Sequence, residues 1–149
     1  MQPIRKELLV EAAQETAFNV FTQQMDLWWP KTHHIGSCAM TAAVLEPKPD
    51  GRWYTVHEDG SEANVGKVLT WDPYGRLVLA WQINGNFKYD PELVTEVEVN
   101  FITEGPKTTR VKFEHRNLDK LLGGEKVIAD MDQGWGHIMN LYKAVADEA

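Results

Sequence analysis

The segment "TEVEVNF" (95–101), followed after a short turn by "TRVKFEH" (109–115), constrains this chain more than any other feature. In the first, Glu96, Glu98 and Asn100 alternate with Val97, Val99 and Phe101. In the second, Arg110, Lys112 and Glu114 alternate with Val111, Phe113 and His115. Successive side chains of an extended strand point to opposite faces, so a period of two makes each segment a strand with one wet face and one apolar face. The intervening "TEGPK" reads as the turn of a hairpin. On the wet face Glu96 and Glu98 are expected to meet Arg110 and Lys112, because opposite charges across a strand pair attract. The apolar face must be covered by something else.

Two further hairpins precede this one. "CAMTAAVLE" and "RWYTVHE" flank "PKPDG", whose Asp50-Gly51 pair is a hairpin signal. "VGKVLTW" and "RLVLAWQI" flank "DPYG", with Pro at the second turn position. Three consecutive hairpins make an antiparallel meander, and "IRKELLV" (4–10) suits an additional first strand. The covering elements must be helical. "TAFNVFTQQM" carries Ala17, Phe18, Val20, Phe21 and Met25 at helical spacing, with Thr16 as a candidate cap and Pro30 closing the segment. At the other end, "DMDQGWGHIMNLYKAVADEA" presents Met131, Trp135, Ile138, Tyr142 and Val145 as one apolar stripe. The expected fold is α+β: one domain over residues 1–149, a curved antiparallel sheet wrapped around a long C-terminal helix.

Charge and composition narrow the function. Hydrophobic residues make up 43% and charged residues 25%, as in ordinary soluble globular chains. Fifteen Lys and Arg against 22 Asp and Glu give a net charge of -7, the wrong sign for a nucleic-acid partner or an anionic membrane surface. Cys38 alone cannot form an internal disulfide, and no run approaches membrane-spanning length, so a cytoplasmic protein is expected. "HHIGSC", with His33, His34 and Cys38, matches no zinc spacing, and "LLGGEK" lacks the phosphate-binding pattern. Neither a metal nor a cofactor is expected.

Extending the alternation places Trp53, Thr55 and His57 on the covered face of one strand and Leu77, Leu79 and Trp81 on that of another. Phe113 and His115 join them from the last strand, and Trp135 and Ile138 from the helix. Two histidines on a mainly apolar surface are the pattern of a pocket that orients one polar group of its ligand. In "MDLWWP" the adjacent Trp28 and Trp29 diverge by about 100° if helical. At most one of the pair therefore packs fully against the helix's own core face, and the other is expected to cap the end of the sheet or stand at the cavity mouth. One of them lining the pocket is the expectation, both being structural the alternative. Phe87 and Tyr89, in the polar connection "NGNFKYDPEL", are candidates for a lid or a dimer contact.

The ordered set "AFNVFTQQMDLWWP", "EPKPDGRWY", "GKVLTWDPYGRLVLAW", "TEVEV" with "EHRNL", and "GWGHIMNLY" resembles the family named after the activator of the heat-shock protein 90 ATPase, within the START-related (SRPBCC) superfamily. The resemblance runs from about Leu8 to Tyr142. It implies a helix-grip, START-like fold with a cavity between sheet and helix. It also implies a small apolar or amphipathic ligand, lipid- or polyketide-like, held by a carrier or sensor in a stress-related setting. Other members of the superfamily are cyclases or hydrolases, and in such a reading His57 and His115 would be the acid/base groups. A chaperone partner is a further alternative. The resemblance covers only the C-terminal domain of the activator, whose separate N-terminal domain does much of the chaperone binding. Val65 stands where relatives often carry tryptophan, which implies a roomier pocket there. Monomer and homodimer are both compatible with this reading.

Overall fold

A computed structural model describes residues 3–31, 38–84, 88–121 and 124–149. Its element order is β1 (Ile4–Val10), α1 (Gln14–Thr22), α2 (Met25–Trp28), β2 (Met40–Leu45), β3 (Arg52–His57), β4 (Glu62–Asp72), β5 (Arg76–Trp81), β6 (Thr95–Gly105), β7 (Thr108–Arg116) and α3 (Gly124–Glu148). All strands form one antiparallel seven-stranded sheet, in the order β1-β7-β6-β5-β4-β3-β2. The meander expected from the hairpins is thus the main body of the sheet, and β1 returns to pair with β7. The helix-grip architecture follows from where the helices lie. The last helix, α3, packs along β1 and against α1, while α2 sits on β2 at the opposite edge. At the β2 edge the Asp26 carboxylate also accepts the Ala43 backbone N–H at 3.0 Å and ion-pairs with Lys31. At the other end the Glu11 N–H donates to Asp147 of α3 at 2.7 Å.

Local chemistry shapes the curl. The β3–β4 register shifts beside Gly66, and a Cβ at Gly66 would lie 1.7 Å from the Ala80 carbonyl oxygen. Only glycine permits that approach, and it lets the sheet bend at the level of Trp53. Asp50 occupies the left-handed region at φ 61° in the β2–β3 connection.

Three expectations need correction. The first helical segment breaks in two, between Thr22 and Met25, and α1 begins at Gln14. Thr16 therefore lies inside α1 and does not cap it; the N-cap position is Ala13. The terminal helix begins at Gly124, earlier than its apolar stripe indicated. On the outer face the hairpin register sets Glu96 opposite Arg116, and Lys112 opposite Asn100. Glu96 therefore pairs with Arg116, while Glu98 pairs with both Arg76 and Arg116; Arg110 instead meets Glu7 and Glu104. The tight turn between Gly105 and Thr108 sets this register, and the bulge between Thr103 and Gly105 shifts it by one residue. The hydrogen bond from Arg76 leads in holding the Glu98 carboxyl down to about 2. The outer-face glutamates are therefore engaged within the sheet.

Candidate functional site

Strand alternation delivers the inner residues as expected. Trp53, Thr55 and His57 of β3 are buried, as are Leu79 of β5 and Phe113 and His115 of β7; Trp81 is partly buried. From α3, Trp135 and Ile138 point into the same volume, and Val65 is buried in the same cluster. The tryptophan pair does not stand at a mouth. Trp28 is 3% and Trp29 5% exposed, and the two indoles serve different halves of the interior. Trp28 packs on Phe21 and Tyr142, at 5.0 and 5.4 Å between ring centroids, and donates its indole N–H to the Val20 carbonyl at 2.8 Å. Trp29 turns the other way, onto Trp53 at 5.8 Å and Trp135 at 5.9 Å. The divergence of adjacent side chains, which led to the expectation of a ring at the cavity mouth, is here a division between two neighbouring buried clusters. Pro30 follows directly, and the extended backbone at Trp29 (φ -67°, ψ 124°) is what turns its ring away from the helix.

The second cluster is a closed ring of indoles. Trp29 meets Trp53, Trp53 meets Trp81 at 5.5 Å, Trp81 meets Trp135 at 5.4 Å, and Trp135 returns to Trp29. All four contacts are edge-to-face, the arrangement that aromatic quadrupoles favour. The four rings come from the end of α2, from β3, from β5 and from α3. Phe113 lies under Trp135 at 4.6 Å. Neighbouring rings already touch, so a planar guest enters only if one of them moves.

Two buried Thr–His pairs border this ring, with opposite polarity. His115 is fully buried. Its Nδ1 lies 3.1 Å from Trp135 Nε1 and its Nε2 2.8 Å from Thr95 Oγ1, and Thr95 donates to the Trp81 carbonyl at 3.0 Å. An indole N–H can only donate and a carbonyl can only accept. The chain therefore has one direction: Trp135 N–H to His115 Nδ1, His115 Nε2–H to Thr95, Thr95 O–H to Trp81. Burial pushes the His115 imidazole down to about 3, consistent with a neutral ring. In the other pair, His57 Nδ1 donates to the Cys38 carbonyl at 2.9 Å. In the neutral form its Nε2 accepts from Thr55 Oγ1, also at 2.9 Å. His115 thus offers a lone pair at Nδ1 and His57 one at Nε2. As they stand, both nitrogens of His115 are engaged, which leaves none free for acid/base work.

Sequence reasoning missed Thr95, although its alternation with Val97 and Val99 marks it as inward-facing. It also missed Lys6, which faces α3 and pairs with Asp132 at 2.7 Å. Lys6 shares the inner face of β1 with Ile4 and Leu8, the same signal. His33, His34 and Phe87 lie outside the described residues; Tyr89 bridges to Ile83. Among the described residues no cluster of His, Cys, Asp and Glu has the arrangement of a metal site, and no helix is long and apolar enough to cross a membrane. An open depression of about 500 Å³ lies on the outer face over β1, β7 and β6, among Arg5, Glu7, Glu98 and Lys112, away from the ring.

Comparison with known proteins is consistent with this geometry. No curated protein matches the chain. Among solved structures, CalC from Micromonospora echinospora, described as a self-sacrificing resistance protein, is 32% identical, with a TM-score of 0.74 over 98% of this chain and 94% of its own. An anthrahydroquino-gamma-pyrone synthase, Txn09, is 31% identical, with a TM-score of 0.63 over 98% of this chain and 88% of its own. The Aha1 dimer from Colwellia psychrerythraea shares the fold at 14% identity, with a TM-score of 0.70 over 99% and 97% of the two chains. The sequence profile described as "Activator of Hsp90 ATPase homolog 1-like protein" matches residues 11–147, and the chain belongs to that family.

Proposed function

We propose that this chain binds a planar, polycyclic aromatic small molecule of polyketide type between its sheet and α3, as a carrier, sensor or sequestering protein. The observation that carries this reading is the indole ring of Trp29, Trp53, Trp81 and Trp135. A lipid chain needs only flexible apolar walls. Flat rings with polar edges, set beside buried Thr–His pairs, match a flat guest that carries a few polar substituents. Two relatives at 31% and 32% identity, one a synthase of an anthrahydroquinone-derived pyrone and one a resistance protein, support the same ligand class. In this reading Trp28, Leu79 and Ile138 back the site. Phe113 and the ring tryptophans form its walls, and Thr55, His57 and His115 supply its polar edge.

The test is a titration of the full chain with an anthraquinone, followed by quenching of tryptophan fluorescence. Saturation near one ligand per chain, with Trp53→Ala weakening binding at least tenfold in a folded variant, is the expected result. A linear, unsaturable response from well-folded protein overturns the reading.

A further inference from the structure

The ring is closed, so a guest must displace one of its members, and three observations single out Trp135. First, α3 buries no side chain from residue 124 to 134, whereas Trp135, Ile138, Met139, Tyr142 and Ala146 are all buried. The first three turns of the helix pack only through partly buried side chains such as Ile128 and Met131, and so are held less than the turns from Trp135 onward. Second, Trp135 is flanked by Gly134 and Gly136, and neither glycine is required by close approach. A Cβ at Gly134 would meet nothing within 4 Å, and one at Gly136 only the end of the flexible Lys6 side chain at 3.7 Å. Glycine inside a helix costs about 1 kcal/mol relative to alanine, so the helix is weakened on both sides of the residue that closes the ring. Third, the Trp135 indole N–H bonds to a buried side chain, His115 Nδ1 at 3.1 Å. Moving the indole uncovers that nitrogen.

What then faces the guest is fixed by the relay behind it. Thr95 commits its only hydroxyl proton to the Trp81 carbonyl, so His115 must keep its proton on Nε2 and present a bare lone pair at Nδ1. Resting on the proposed aromatic ligand, we infer that the guest takes the place of the Trp135 indole and satisfies His115 Nδ1 with a hydrogen-bond donor, a phenolic or hydroquinone hydroxyl. A quinone carbonyl or an ether oxygen at that position would set two acceptors against each other in a buried site. The site thus distinguishes the hydroxylated aromatic from its O-methylated or oxidised counterpart.

The experiment compares 2-naphthol with 2-methoxynaphthalene, both close to an indole in size, by calorimetry on the full chain at neutral pH. Alongside, the Trp135 indole N–H resonance is followed by NMR. Losing a neutral hydrogen bond and leaving a buried acceptor unpaired corresponds to about a tenfold difference in affinity. Naphthol is expected to bind at least that much more tightly and to shift the Trp135 resonance. The preference is expected to vanish in His115→Leu and to persist in His115→Gln, which retains an acceptor. Equal binding of the two probes to the natural sequence overturns the donor inference while leaving the aromatic-ligand reading intact. Saturable binding of neither probe overturns both. Should His115→Leu not fold, the natural sequence decides: a Trp135 resonance unchanged at naphthol saturation overturns the displacement.

Discussion

The interior of this protein has two aromatic halves that meet at Trp28 and Trp29, and they differ in where their polar atoms go. In the half under α1, Phe18, Phe21, Phe101, Trp28 and Tyr142 pack at 5.0–5.8 Å, edge to face except for the tilted Phe21–Trp28 pair. The polar tips there end on main-chain carbonyls of α1: Trp28 on Val20 and Tyr142 on Ala17, at 2.8 and 2.7 Å. Those acceptors are fixed by the helix. In the other half, Trp81 and Thr95 also end on main-chain carbonyls, but Trp135, His115 and Thr95 bond to one another as side chains, brought together from α3, β7 and β6. Such bonds have alternative partners once a side chain rotates, whereas a helix carbonyl offers none. The first half is built to hold one arrangement, and the second keeps its polar groups exchangeable. Where function is sought among buried aromatic side chains, the direction of the buried hydrogen bonds is more informative than the count of aromatic rings.

The largest expected effect separates the halves by stability. Phe21→Ala removes a ring that touches Trp28, Phe101 and Tyr142, and should lower unfolding free energy by about 3–5 kcal/mol. Urea denaturation measures it. The folded fraction should bind an aromatic probe as the natural sequence does, and a large affinity loss in still-folded protein would erase the division between the halves. Next comes pH. His115 is held down to about 3 by burial, against about 6.5 when unfolded. Below pH 6.5 the unfolded chain therefore takes up a proton that the folded ring refuses. Stability should fall by about 1.4 kcal/mol per unit as the pH drops through this window, with no contribution from this group above it. Glu98, held to about 2, and Glu114, lowered chiefly by Arg5, add their losses at more acid pH. His115→Gln should remove the slope between pH 6.5 and 4.5. An unchanged slope would mean that His115 is not the buried neutral group described above.

Much of this was legible in the sequence, and the limits have physical causes. Alternation is local, so the inward set Trp53, Thr55, His57, Leu79, Phe113 and His115 could be read strand by strand, and Thr95 was readable the same way. The ion pairs of the outer face were not, because the position of the turn after Gly105, with a one-residue bulge beside it, decides which charges meet, and Arg76 and Glu7 join from the flanking strands. Ring closure was out of reach for another reason. It joins Trp29 to Trp135, far apart in the sequence, and no local pattern reports that contact. The direction of the His115 relay was equally hidden, since it depends on a Trp81 carbonyl accepting from Thr95.

A smaller effect sharpens the contrast from the rigid side. Tyr142→Phe deletes the hydroxyl that donates to Ala17 and should cost about 1 kcal/mol by denaturation, leaving aromatic binding unaltered. The smallest change in stability carries the sharpest reading of the exchangeable side. Gly134→Ala adds a methyl group that meets nothing within 4 Å, so the helix should gain up to about 1 kcal/mol. The same substitution stiffens the segment beside Trp135 that must yield before the ring opens. Stopped-flow quenching should then show slower association with an aromatic probe, and a slower release to match. A protein that becomes more stable while exchanging ligand more slowly ties the cost of those glycines to access. Equal stabilisation with unchanged rates would assign the opening to another wall of the ring, with Trp29 and the backbone turn at Pro30 as the next residues to substitute.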